Sequence, residues 1–173
     1  MMARLLTYHQ VMPAYLDFVS VFGLQARPRD LRFSGFREQT LLSDPPRVPA
    51  MSSLGRSGRQ FQLCYNVKAP FHKTAPHKIW TIRQAAIHHQ FDVVEGTSLW
   101  AVTKGDLELK ARIEQLTGPL GRPEDRSLTT PQDCFRSSLA VHLLLCHWST
   151  EEWRWYIQSL EDEIDEKVRA SCC

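Results

Sequence analysis

The periodicity of apolar and polar positions divides the chain into a helical start, a strand-rich middle and a helical end. Its clearest stretch is Gln60–Lys68, where Phe61, Leu63, Tyr65 and Val67 alternate with Gln60, Gln62, Cys64, Asn66 and Lys68. Such alternation predicts a half-buried strand. In the next segment Ile79, Thr81, Arg83, Ala85, Ile87, His89 and Phe91 fall on one face of a strand. Trp80, Ile82, Gln84, Ala86, His88 and Gln90 fall on the other. Neither face is cleanly polar, so this strand is expected to be covered on both sides. Asp92–Gly96 supplies a turn, with Glu95-Gly96 the place for a positive φ. Leu99, Trp100, Ala101 and Val102 return as the partner, and the two strands read as a central hairpin.

The ends of the chain carry helical spacing. Tyr8, Val11, Met12, Tyr15, Phe18, Val19 and Phe22 predict one helix over Tyr8–Phe22, with Pro13 near its start and Gly23 as its stop. Leu31–Phe36 is expected as a short strand, weakened by Gly35. Residues 43–59, with Pro45, Pro46, Pro49, Gly55 and Gly58, read as a mobile loop, and Ala69–Lys78 as a connection. Leu107–Leu116 predicts a helix with Leu109, Ile113 and Leu116 inward, stopped by Gly118-Pro119. Thr130 is a fitting N-cap, with Pro131 and Asp133 in the first turn, for a helix running through Phe135, Leu139, His142, Leu143 and Cys146. Ser149 and Glu152 match a capping box for a last helix, in which Trp153, Tyr156, Ile157, Leu160, Ile164 and Val168 form one stripe.

The predicted class is α+β: a central, mainly antiparallel sheet with strands near 60–68, 79–91 and 97–103, packed by helices. Residues 1–148 form its body and 149–173 a final helix. No Gly or Pro closes that helix before Cys173, so it reads as cut short.

Composition narrows the picture a little. A chain of 173 residues with 43% hydrophobic and 23% charged residues suits one ordinary globular domain. The formal charge of +2 and the dispersed Lys and Arg residues argue against a nucleic-acid partner. Between Ser149 and Arg169, seven acids face three bases, so the last helix is acidic and the body basic. Five cysteines without a CxxC pair argue against a disulfide framework and for a reducing compartment. No stretch of the sequence reads as a signal peptide or a membrane span.

Candidate chemistry is sparse. His88 and His89 are adjacent on a strand, point to opposite faces and cannot share one ion. His142 and Cys146 share a helix face at a spacing two zinc ligands could use, but no second pair accompanies them. Ser137-Ser138 reads as helix surface, and Gly55-Arg56-Ser57-Gly58 as a tether, since it matches no phosphate loop. More informative is the last helix, where Asp162, Asp165 and Glu166 converge at i, i+3 and i+4. Like charges so placed repel unless a cation or a basic surface neutralises them, and oxygen ligands suit Mg2+. The apolar stripe, and Trp155 which falls off it and is expected to meet another domain or subunit, make Trp153, Trp155, Ile157, Leu160 and Ile164 candidate partner-binding residues. No catalytic residues are assigned and no cofactor is required.

Several blocks carry a family resemblance when taken together: TYHQVMPAYLDFVSVFG, FSGF, LGRSGRQFQLCYNVK, WTIRQAAIHHQFDVVEGTSLW and CFRSSLAVHLLLCHWSTEEWRWYIQSLEDEID. The chain resembles fungal proteins with a CorA-like transporter domain over most of its length. The resemblance implies a non-enzymatic cytosolic α/β domain preceding a long stalk helix, the helix from Ser149 being its start. It also implies a homo-oligomer or a membrane-domain partner, with Mg2+ as a regulatory ion at acidic contacts. A Gly-Met-Asn selectivity signature is absent, so this polypeptide is expected not to conduct ions itself. The expected location is cytoplasmic, or membrane-associated if the full-length protein carries transmembrane helices. The alternative is a stand-alone interaction module whose final stripe binds a partner helix. A metal-dependent hydrolase would need convergent His and carboxylate ligands that the pattern does not assemble.

Overall fold

The computed structural model describes residues 2–22, 33–73 and 79–171. The stop expected at Gly23, the start of the expected strand at Leu31, Thr74–Lys78 of the connection and the Cys172-Cys173 pair lie outside them. Among the described residues, five α-helices and four strands follow in the order α1 (Met2–Tyr8), α2 (Tyr15–Ser20), β1 (Phe36–Leu41), β2 (Gln60–Lys73), β3 (Ile79–Asp92), β4 (Ser98–Lys104), α3 (Leu107–Thr117), α4 (Pro131–Thr150) and α5 (Trp153–Ser171), with a 3-10 turn at Ser52–Leu54 between β1 and β2. The strands form one antiparallel sheet in sequence order, consistent with the expected α+β class.

The sheet separates two cores. Successive side chains alternate across a strand, and on β3 this sends Ala85 and Ile87 toward α3 and α4, where Leu109, Val141, Leu145 and Trp148 meet them. Ala86, with Cys64 of β2, packs on the other side against Met12, Tyr15 and Phe18. The two faces expected for β3 are therefore both buried. The central pair, however, is β2 and β3, not β3 and β4. Lys73 pairs with Ile79 and Gln60 with Asp92, so the two strands make a long ribbon. β4 lies at the sheet edge, where Ala85 to Phe91 pair with Lys104 to Ser98.

The largest departure from the periodicity is on β2. Its polar row is the deeply buried one: Gln60, Gln62, Cys64 and Asn66 are all buried, while Phe61, Leu63, Tyr65 and Val67 are only partly so. Buried amides are sustainable when their polar atoms find partners; Gln60 accepts from Gln90 Nε2 (2.6 Å), while Gln62 and Asn66 take main-chain partners. Gln62 Oε1 accepts from Met12 N (2.8 Å) and its Nε2 donates to Gln10 O (3.1 Å). Asn66 Oδ1 accepts from Gly35 N (2.9 Å) and its Nδ2 donates to Phe33 O (2.7 Å). The row thus pins the amino-terminal segment and residues 33–35 onto the sheet.

Other boundaries shift for local reasons. Of the helix expected over Tyr8–Phe22 only Tyr15–Ser20 forms, as α2, and α1 lies upstream at Met2–Tyr8; between them Gln10 takes a positive φ of 52° and turns its carbonyl to Gln62. β1 begins only at Phe36, since Gly35 and Phe33 give their main-chain groups to Asn66. The connection expected from Ala69 is strand as far as Lys73; Pro70 is tolerated because β2 has outrun β1 there and has only one strand neighbour. Thr130 caps α4 by accepting from Asp133 N (3.2 Å), as expected; α3 has a cap the sequence reading did not name, Asp106, which accepts from Leu109 N (2.6 Å). The capping box at Ser149 does not form. Ser149 still belongs to α4, donating to Cys146 O, and α5 is entered through Glu152 at φ 64°.

Loop 43–59 is anchored rather than a free tether. The Asp92 carboxylate, almost fully buried, accepts from Ser57 N (2.7 Å) and from Ser57 Oγ. The same carboxylate accepts from Val94 N and Glu95 N, closing the β3–β4 turn as an Asx motif. Arg56 is buried and donates to His9 O (2.6 Å). Gly96, at φ 71°, supplies the expected positive φ. A Cβ there would sit 2.9 Å from Pro131 Cα, so glycine also lets the turn touch the start of α4.

Candidate functional site

Two features of the molecule exceed what folding alone requires. The first is α5. The joint through which it follows α4 is held to α3 by an ionic knot, in which Arg112 of α3 donates to Glu108 and to Glu151 of the joint, each at 2.6 Å. His147 Nδ1 lies 2.8 Å from the same Glu151 carboxylate, the pair that the sequence placed four residues apart. These contacts raise the Arg112 pKa, chiefly through the Glu151 hydrogen bond, and lower that of Glu151 through Arg112. Trp153 Nε1 donates to Ser149 O (2.7 Å) and Tyr156 packs on Trp80 of β3 at 5.7 Å between ring centroids.

Beyond this anchored first turn α5 leaves the body. It has no buried residue, and every residue from Leu160 to Ser171 is exposed. Ile157 is 50% exposed, Leu160 40%, Ile164 60% and Val168 57%, so the stripe expected to pack is bare. Trp155 is also exposed, with the Arg154 guanidinium 5.4 Å from its ring centroid. Asp162, Asp165 and Glu166 are exposed on the helix face opposite the stripe. Among the described residues, no three His, Cys, Asp or Glu side chains are placed to hold a metal ion. No helix among them is long and apolar enough to cross a membrane.

The second feature is a hydrogen-bonded row through the body. Tyr65 Oη lies 2.7 Å from His142 Nδ1, and His142 Nε2 lies 2.9 Å from His89 Nδ1. His89 Nε2 then lies 3.0 Å from Ser98 Oγ, which is 3.4 Å from Ser138 Oγ. Two neutral imidazoles in series can carry this row in either direction, provided both take the same tautomer sense. Burial holds them neutral. It pushes His89 down to about 3, with His142 and His88 adding repulsion, and it lowers His142 as well. Burial also raises the Tyr65 phenol. The His89 ring stacks on Trp100 with centroids 4.0 Å apart.

His142 therefore faces β2 and β3, not a metal shared with Cys146, which is exposed. Ser137 and Ser138, expected on the helix surface, are buried against Ser127 and Ser98. His88, on the opposite face of the sheet, is pushed down to about 4 by burial and then by Arg56, and its Nε2 lies 3.0 Å from Gln62 Oε1. The sequence separated His88 and His89 correctly but held no signal linking His89 to His142, 53 residues away.

A family model of CorA-like transporters matches residues 1–172. The chain matches no curated protein and no solved structure. With the match spanning the anchored body and the projecting α5 alike, the chain belongs to the family of CorA-like transporters.

Proposed function

We propose that this chain acts as a non-enzymatic, cytosolic assembly domain of a CorA-like transporter protein, with α5 as its docking arm. The observation carrying this reading is the bare stripe of Ile157, Leu160, Ile164 and Val168 on a helix whose first turn is fixed to the body. An apolar stripe in water is unfavourable by roughly 25 cal/mol for each Å² left exposed. A helix beside it with the same spacing would cover it. The occupant we assign is α5 of another copy of the chain, and Trp153 extends the contact toward the body, while Trp155, on the opposite face of α5, offers a separate contact.

Mg2+ is the regulatory ion of this reading, gathered as a loose counter-ion along Asp162, Asp165 and Glu166 rather than held in a coordination site. Their face is turned from the stripe, so the ion would act by relieving repulsion along α5 rather than by bridging the apolar contact. The test is light scattering on the chain and its Leu160→Glu/Ile164→Glu variant, with and without Mg2+. We expect the parent to self-associate, the double variant to be a folded monomer, and Mg2+ to strengthen association only while the three acids are present. An Asp162→Asn/Asp165→Asn/Glu166→Gln variant that still responds to Mg2+ removes the ion-sensing part. A parent that stays monomeric removes the copy-to-copy part and leaves the stripe to a helix of a different protein.

A further inference from the structure

A cavity of about 290 Å³ lies between β4, α3 and α4, outside the arm and its contacts. Its walls are apolar: Trp100 and Val102 of β4, Ile113 of α3, Val141 of α4, and Leu128 from the loop before α4. Leu128 and Val102 are exposed and mark its open side, whereas Val141 is buried. Its polar groups are Thr117 of α3, whose hydroxyl donates to Ile113 O, and a cluster in which Ser98, Ser137 and Ser138 meet Cys134. No charged side chain lines it, so a charged ligand would lose its hydration without a compensating ion.

The hydroxyls of that cluster are unequal. Ser137 is committed to Ser127 O at 3.0 Å, but buried Ser138, among the described residues, meets Ser98 at a long 3.4 Å. Ser98 is the last member of the row through His89 and His142 to Tyr65. When His89 donates to Ser98, the Ser98 hydroxyl is free to donate into the cavity. When the row reverses, Ser98 donates to His89 and offers the cavity a lone pair. The site can therefore donate to or accept from a single hydroxyl while both histidines stay neutral.

We propose that this cavity binds a small uncharged aromatic alcohol, its ring against Trp100 and its hydroxyl on Ser98 and Ser138. The volume is near the lower end of natural ligand pockets and suits one or two fused rings. A wall of apolar side chains with a few convergent polar groups is the usual build of such sites.

The experiment is calorimetric titration of the full chain with 2-naphthol and with naphthalene. We expect saturable binding of both, with 2-naphthol about tenfold the tighter for its hydrogen bond. Ser98→Ala/Ser138→Ala should bring 2-naphthol to the naphthalene level and leave naphthalene unchanged. Val102→Trp, at an exposed edge-strand position, should block both while the unfolding midpoint stays near that of the parent. Absence of saturable 2-naphthol binding to the parent overturns the proposal. So does unchanged binding in the Val102→Trp variant, or an unchanged preference for 2-naphthol in the double serine variant.

Discussion

The Gln62 amide is matched at both ends by main chain, accepting from Met12 N and donating to Gln10 O. It replaces a strand neighbour for a segment that has no strand of its own. Gln62→Leu preserves bulk but leaves the Met12 amide buried and unpaired, so a loss of about 1–3 kcal/mol is expected in urea unfolding. Unchanged stability would mean that the amino-terminal segment does not depend on this contact. Alternation in the sequence located β2 but reversed its inside and outside. Periodicity scores glutamine as outward, and no local signal says that residues 10–12 will come to meet it 50 positions away.

At the same scale, the buried histidines set an acid limit. His88 and His89 have folded pKa values of about 4 and about 3, below the unfolded value near 6.5. Between those limits the unfolded chain binds more protons, so stability is full above about pH 6.5 and falls as pH falls toward the folded values. At pH 5 each histidine should cost about 2 kcal/mol relative to pH 7. Unfolding free energies at the two pH values measure this. His89→Gln should remove about half of the difference, and a parent of equal stability at both pH values would contradict the assignment of neutral imidazoles.

Among the elements, the joint between α4 and α5 is the most specific construction. The sequence foretold two helices here and the apolar stripe of the second. It also suggested a capping box at Ser149, which the chain does not use because Ser149 continues α4 and Glu152 makes the turn at φ 64°. A non-glycine residue there carries roughly 1–2 kcal/mol of backbone strain. Glu152→Gly is therefore expected to raise the urea midpoint and Glu152→Val to lower it; the reverse order would refute the left-handed joint. The ionic knot acts on the same joint. Arg112→Ala leaves Glu151 without its guanidinium, and the first turn of α5 should exchange its amide hydrogens faster while the β2–β3 ribbon does not change.

For the whole molecule, the division into a body and an arm follows from where apolar surface is covered. Both faces of the sheet are closed, one by α1, α2 and the amino-terminal turn, the other by α3 and α4. Among the described residues the α5 stripe continues beyond any partner, which the sequence expressed as unbroken periodicity without saying what lies opposite. The α+β class, the Thr130 cap of α4 and the stripe were legible because they are local or periodic. The polar row through Tyr65, His142, His89 and Ser98 was not, since its members come from β2, α4, β3 and β4 and meet only after folding. The most direct measurement is sedimentation equilibrium of the unaltered chain over roughly 1 to 100 µM. A mass that rises with concentration toward a fixed multiple of the monomer is the predicted result, with α5 the region protected from hydrogen exchange in the associated form. A monomer mass throughout, with α5 equally unprotected at both ends of the range, would contradict the assembly role.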